Sequence, residues 1–271
     1  MTKYLFLTFI CLAISAPAML KGNEAEEVLS ADTNASWVLP HWRKFHAMDE
    51  FLAIKGYVGI TTKRSFAVDE DAVYELSGKF RTPSDQAHLS RFEFGFVPFD
   101  EDGKSLTSKG YSSKTDSFGT LAKDVKPGDT AVFVNCKKSW WKTDIAFNAL
   151  KNFSDLPNKD LHKIKVLKKI ENGYELTLDK PVTKAYAAGT GVRNHFSMNW
   201  IFTVNRYQKA PKEWTAFSGK ISGFEKGIPN EKRWWPGTVR AKVFLLIPVN
   251  STLEFKNVVV RKMEPAKKGG K

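Results

Sequence analysis

The stretch Val73-Tyr-Glu-Leu-Ser-Gly-Lys-Phe-Arg-Thr82 (VYELSGKFRT) alternates two kinds of side chain without a break. Tyr74, Leu76, Gly78 and Phe80 fall on one side and Glu75, Ser77, Lys79 and Arg81 on the other, the period of a strand with one buried face. Phe92, Phe94 and Phe96 repeat the alternation against Arg91, Glu93 and Gly95, and Asp102-Gly103 marks a turn after them. Runs of the same kind follow in TAVFVNC, HKIKVLKK, GYELTL, NWIFTVNR, EWTAFSGKIS, TVRAKVFLLI and TLEFKNVVVRK, most of them separated by Gly, Pro, Asn or Asp. About ten short strands at this spacing predict an all-β fold, an antiparallel β-sandwich of the jelly-roll kind. Helical spacing is confined to KFHAMDEFLAI, with Phe45, Met48, Phe51 and Leu52 on one stripe, and to IAFNALKNF, so one or two short peripheral helices are expected.

The chain opens with Lys3 ahead of an uncharged run from Tyr4 to Ala16, and Ala16-Pro17-Ala18 ends that run. This order of cation, apolar core and small residues predicts a secretory signal peptide over 1–18, cleaved after Ala18, and a secreted or periplasmic destination. No later segment approaches the ~20 apolar residues of a membrane helix, so no transmembrane segment is expected. Residues 19–36 are small, acidic and non-periodic and read as a flexible arm; 37–262 read as a single β-sandwich domain, and 263–271 as a basic disordered tail. Without the leader Cys136 is the only cysteine, so no intramolecular disulfide can form and the core must supply the stability. Cys136 continues the alternation of Val132 and Val134 and reads as a small buried hydrophobe.

The formal net charge is +13. Such a balance attracts polyanions over long range without selecting one. Export argues against nucleic acid as the partner and favours an acidic or sulfated polysaccharide, or an anionic cell surface.

Two tryptophan pairs stand among cations, in KKSWWK (137–142) and KRWWPGT (232–238). Aromatic rings stack on the apolar faces of sugars, and neighbouring cations meet carboxylate or sulfate groups. On a strand, adjacent side chains point to opposite faces, so one ring of each pair is expected outside the core. Trp140, Trp141, Trp234 and Trp235 are therefore candidate stacking residues, with Lys138, Lys142, Arg193 and Arg233 as candidates for the anionic groups. In AGTGVRNH, Arg193 and His195 stand two apart on one predicted strand face. An arginine clamps a carboxylate with two parallel hydrogen bonds. With Tyr207 or Tyr111 as acid, His195 as base and Arg193 on the substrate carboxylate would suit β-elimination from a uronic acid polymer, so a polysaccharide lyase is the alternative to a non-catalytic binding protein. An envelope-associated structural or adhesion protein is a second alternative.

The order Tyr74-Glu-Leu-Ser-Gly-Lys-Phe80, FGFVPFDEDGKSL, KPGDTAVFV, AYAAGTGVRNH, EWTAFSGKISG, GTVRAKVFLLI and LEFKNVVVRKM resembles galactose-binding-like jelly rolls of the carbohydrate-binding-module type, over about residues 57–262. The resemblance implies sugar binding on a concave face or at loop tips, and a structural calcium ion near a sheet edge. No cofactor is required by this reading. The histidines at 41, 46, 88, 162 and 195 offer only His41 and His46 as a close pair, which disfavours zinc. Asp100, Glu101 and Asp102 precede Gly103 and read as a hairpin turn rather than a calcium loop or a pair of hydrolytic carboxylates.

Overall fold

The computed structural model describes residues 25–40, 46–48, 50–225 and 231–263. The expected leader, the 264–271 part of the expected tail, and Phe45 lie outside these residues.

Two antiparallel sheets, each six-stranded with its short flanking strands, build a β-sandwich. One sheet runs Thr215–Ser222, Val73–Arg81, Thr252–Met263, Phe51–Lys55; the other runs Ile201–Asn205, Glu93–Phe99, Arg240–Ile247, Val58–Thr62. The chain repeatedly crosses between the sheets, and Phe51–Lys55 lies beside Thr252–Met263, so the first and last of these strands are neighbours, in jelly-roll order. The opening alternation sets the faces: Tyr74, Leu76 and Phe80 are buried against Phe94, Phe96 and Phe255 in one core. Phe80 stacks on Phe92 with ring centroids 4.5 Å apart. Each such phenylalanine contributes about 1.5–3 kcal/mol by leaving water. At Gly95 the strand Glu93–Phe99 approaches Ile201–Asn205 too closely for a side chain, since a Cβ there would sit 1.9 Å from the Ile201 carbonyl oxygen.

Between Glu93–Phe99 and Ile201–Asn205 the chain leaves the sandwich. Gly119–Leu121, Ala131–Asn135, Asp144–Phe147, Leu161–Ile170, Gly173–Leu178 and Gly191–His195 close into a separate antiparallel barrel. Its own core holds Val132, Val134, Ile145, Phe147, Ile164, Leu176 and Val192, with Cys136 buried in the same cluster as a free thiol. This divides the single sandwich domain expected over 37–262, because alternation reports that a strand has a buried face, not which core that face enters. Two connecting segments run side by side to reach the barrel. Ser108 N donates to Met198 O at 2.9 Å, Phe196 N to Ser112 O at 3.0 Å and Lys114 N to Asn194 O at 2.9 Å.

Three local expectations are corrected. No α-helix forms among the described residues, where one 3-10 turn, Asn34–Ser36, is present. The stripe proposed across Phe51 and Leu52 is instead the hairpin His46–Met48 with Phe51–Lys55, because Leu52 and Ile54 alternate into the sandwich core. IAFNALKNF is a strand, Asp144–Phe147, followed by turns; Ile145, Ala146 and Phe147 are all buried, and Asn148 adopts φ 53°. Burial on both faces removes the polar side that a surface helix needs. The expected arm also contributes structure: Glu26–Ser30 pairs with Thr252–Met263, and Leu29 and Ala31 enter the core. The Asp100–Gly103 turn closes as read, with Gly103 N donating to Asp100 O at 3.1 Å.

Candidate functional site

The tryptophan pairs part company. Trp234 and Trp235 are both in the sandwich core, at 0% and 2% exposure, which overturns the expectation of one outward ring. Strand alternation does not govern them because 231–238 is a turn-rich crossing. Trp234 makes a single bridge to Phe224, and Thr238 N and Oγ1 donate to Trp235 O at 3.1 and 2.6 Å. Gly237, at φ 85°, supplies the left-handed corner that lets the chain turn back with both rings inward. Trp234 lies 5.0 Å from Phe96 and 5.8 Å from Tyr74. Arg233 stays outside, in a shallow cleft with Ser222, Glu231 and Lys232 on the sandwich.

At the barrel one ring of the pair does face outward, although Trp140 and Trp141 lie in the connection between Ala131–Asn135 and Asp144–Phe147 rather than on a strand. Trp140 turns inward, stacks on Tyr174 at 6.0 Å and donates its Nε1–H to Ser117 O at 3.0 Å, so it is not a stacking surface. Trp141 remains 47% exposed. Its backbone is held at both ends by one side chain: Asn194 Oδ1 accepts from Trp141 N at 2.8 Å and Asn194 Nδ2 donates to Trp141 O at 3.1 Å. The ring rests edge-on against Phe196 at 5.3 Å, and the Lys114 ammonium lies 4.6 Å from its centroid. Lys142 follows it on the exposed surface.

Arg193 and His195 share a face of Gly191–His195, but that face is sealed: their exposures are 1% and 0%. Arg193 Nε–H donates to His195 Nε2 at 3.0 Å, and the other ring nitrogen, Nδ1, donates to Lys109 O at 2.9 Å. The imidazole is thereby fixed in one neutral form. Burial, with the Arg193 charge, holds its pKa below the ordinary value against the opposing pull of the Lys109 carbonyl. The rest of the guanidinium pairs with Asp155 at 2.6 Å, donates to Leu150 O at 3.0 Å, and lies 4.7 Å from the Phe153 ring. Burial alone would raise Asp155; hydrogen bonds from Asn158, Leu150 N–H and Arg193, and the Arg193 charge, outweigh it and hold the carboxyl low. The pair thus fastens the 148–160 loop to the barrel. A base whose lone pair is already occupied cannot take a proton from a substrate, so the β-elimination assembly is not formed. Tyr111 is 9% exposed, with burial raising its pKa, and Tyr207 lies on the sandwich at 62% exposure beside Arg91 and Arg206. No hydrogen bond joins either tyrosine to the Arg193–His195 pair among the described residues.

Above this floor is an open cleft of about 490 Å³ lined by Lys114, Lys138, Lys151, Phe118 and Phe153, with Asp116 as its carboxylate. Asp116 stands 4.0 Å from Lys138 with both side chains about two-thirds exposed, a contact too solvated to cancel the lysine. Lys114 donates to Ser139 Oγ at 2.6 Å, so one ammonium belongs to both the cleft and the Trp141 ring. At Phe118 and Lys138 a second cleft of about 700 Å³ begins and carries the basic lining on to Lys137 and Lys169. The barrel segment 119–195 holds fourteen cations against eight carboxylates. Sequence reasoning found Trp141, Lys138 and Lys142 but missed Lys114, Lys151 and Asn194. Lys114 and Lys151 lie in irregular loops with no local pattern, and Asn194, between Arg193 and His195, carries no chemical signal of its own in the sequence. Among the described residues no group of three His, Cys, Asp or Glu side chains is placed to hold a metal ion. No described helix is long and apolar enough to cross a membrane.

No family model matches the chain, and no curated protein matches it. Among solved structures it is similar to the CBM22-1 xylan-binding domain of Paenibacillus barcinonensis Xyn10C, over 90% of this chain and 99% of that one, with a TM-score of 0.39 and 10% identity. It is likewise similar to the CBM22-1–CBM22-2 tandem domain of the same protein, over 92% of this chain and 50% of that one, at a TM-score of 0.39 and 10% identity. The assignment of a β-sandwich rests on the strand pairing of the chain itself.

Proposed function

We propose that this chain is a non-catalytic carbohydrate-binding protein whose barrel clefts hold an acidic or sulfated polysaccharide. The observation that carries this reading is the convergence of Lys114, Lys138 and Lys151 on one cleft with the half-exposed ring of Trp141 tied to it through Lys114. A sugar face stacks on the ring while the ammonium groups meet the anionic substituents. The expected export of the chain fits such a polymer. The sealed state of Arg193 and His195 supports binding without turnover.

Affinity electrophoresis through gels containing sulfated, uronic or neutral polysaccharide tests this. Retardation by the anionic gels should fade as salt rises past about 0.5 M, where the screening length falls to a few ångströms. Charge reversal of Lys114, Lys138 and Lys151 together should abolish it, and no unsaturated product should absorb in the ultraviolet. Equal mobility in every gel, or retardation unaffected by the triple reversal, refutes the proposal.

A further inference from the structure

The outer face of the sandwich carries a different kind of cleft, about 440 Å³ in volume, at the end of Phe51–Lys55 and Thr252–Met263. Leu52 and Ile54 point into the core, so Phe51, Ala53 and Lys55 point outward into this cleft. The Phe51 ring meets Trp214 edge-on at 5.5 Å and lies 5.2 Å from the Arg81 guanidinium, which fixes it in place. Glu254, on the same floor, is matched by Arg81 at 2.5 Å and contributes no free charge.

The opposite wall is a loop held by several side-chain hydrogen bonds. The Lys212 ammonium donates to the carbonyls of Pro83, Ser84 and Gln86. Gln86 Oε1 accepts from Thr252 N at 2.7 Å while its Nε2 donates to His88 O and Ser90 Oγ. These bonds leave Asp85 presented on a rigid support, and its carboxylate has no ion pair or hydrogen bond among the described residues. The same holds for the Lys55 ammonium and the Asn250 amide, which line the same cleft. A cation and a carboxylate therefore share one small cleft without pairing with each other. The charges in and beside it, Lys55 with Asp85 and Arg81 with Glu254, cancel, so nothing in it selects an anion.

A pre-set apolar ring flanked by an unpaired acceptor and two unpaired donors matches a molecule with one apolar face and a rim of hydroxyls. We infer that this cleft is a second sugar site, for a neutral pyranose unit that stacks on Phe51, donates hydroxyls to Asp85 and accepts from Lys55 and Asn250. The site is independent of the basic barrel clefts and would let one chain engage both neutral and anionic stretches of a polymer.

Calorimetric titration of the whole chain with cellohexaose, xylohexaose and mannohexaose tests it, at about 0.5 M salt so that the charge attraction of the barrel is screened. At least one of these neutral oligosaccharides should bind. Asp85→Ala, an exposed change with no packing consequence, and Phe51→Ala should each weaken that binding about tenfold or more, equivalent to about 1.4 kcal/mol. Lys114→Glu should leave it unchanged. Absence of binding by all three oligosaccharides overturns the inference, as does wild-type affinity in Asp85→Ala.

Discussion

The Nε–H of Arg193 donates to Nε2 of His195 at 3.0 Å, and this bond determines what both residues can do. It fills the histidine lone pair that a general base would use, and it turns the guanidinium away from solvent toward Asp155. Residues that look catalytic in a linear reading are joined to each other instead.

Stability should depend on pH through this pair. His195 sits below its ordinary pKa of 6.5, so as pH falls through that value the unfolded chain takes up a proton that the folded chain refuses. Stability is then complete above that pH and declines beneath it until the folded pKa is passed. Asp155, also held low, adds a separate loss as pH falls further, through its own folded value. Melting curves between about pH 7 and about pH 5 should show the first decline, and His195→Gln should reduce it while leaving the more acidic limb in place.

Arg193→Ala leaves the buried Asp155 carboxylate without its cation. Urea denaturation should show a loss of about 3–5 kcal/mol. Arg193→Ala combined with Asp155→Asn should recover part of that loss, because the stranded charge is removed along with its partner.

The two tryptophan classes should separate cleanly. Trp234→Ala empties a fully buried site and should cost about 3–5 kcal/mol. Trp141→Ala should change stability by less than about 1 kcal/mol yet weaken retardation by anionic polysaccharide. Equal melting temperatures for the two variants would contradict the burial that distinguishes them.

Gly95 should tolerate no side chain. A Cβ would meet the Ile201 carbonyl at 1.9 Å, so Gly95→Ala must push apart Glu93–Phe99 and Ile201–Asn205. A loss of more than about 2 kcal/mol is expected in urea denaturation, through strain rather than lost burial.

The extent to which the sequence could be read follows from the range of each interaction. Tyr74, Leu76 and Phe80 announced their strand because period-two alternation is a property of neighbours along the chain. For the first tryptophan pair the same rule required one ring outside the core without choosing which; Trp140 turns inward and Trp141 outward in the connection between Ala131–Asn135 and Asp144–Phe147. The rule failed at Trp234 and Trp235, where the backbone turns at Pro236 and Gly237 and alternation no longer applies. Lys114 and Lys151 could not be recognised at all, being far apart in the chain and brought to one cleft only by the tertiary fold.

By itself, then, the sequence determined an antiparallel all-β protein with a strong positive charge, because strand periodicity and composition are local. Only the tertiary structure decided that residues 119–195 form a barrel with its own core, that Arg193 and His195 are locked to each other, and that Trp141 rather than Trp234 or Trp235 faces outward. Those outcomes depend on which strands pair and which surfaces meet, and pairing partners far apart in the chain leave no mark on the residues beside them.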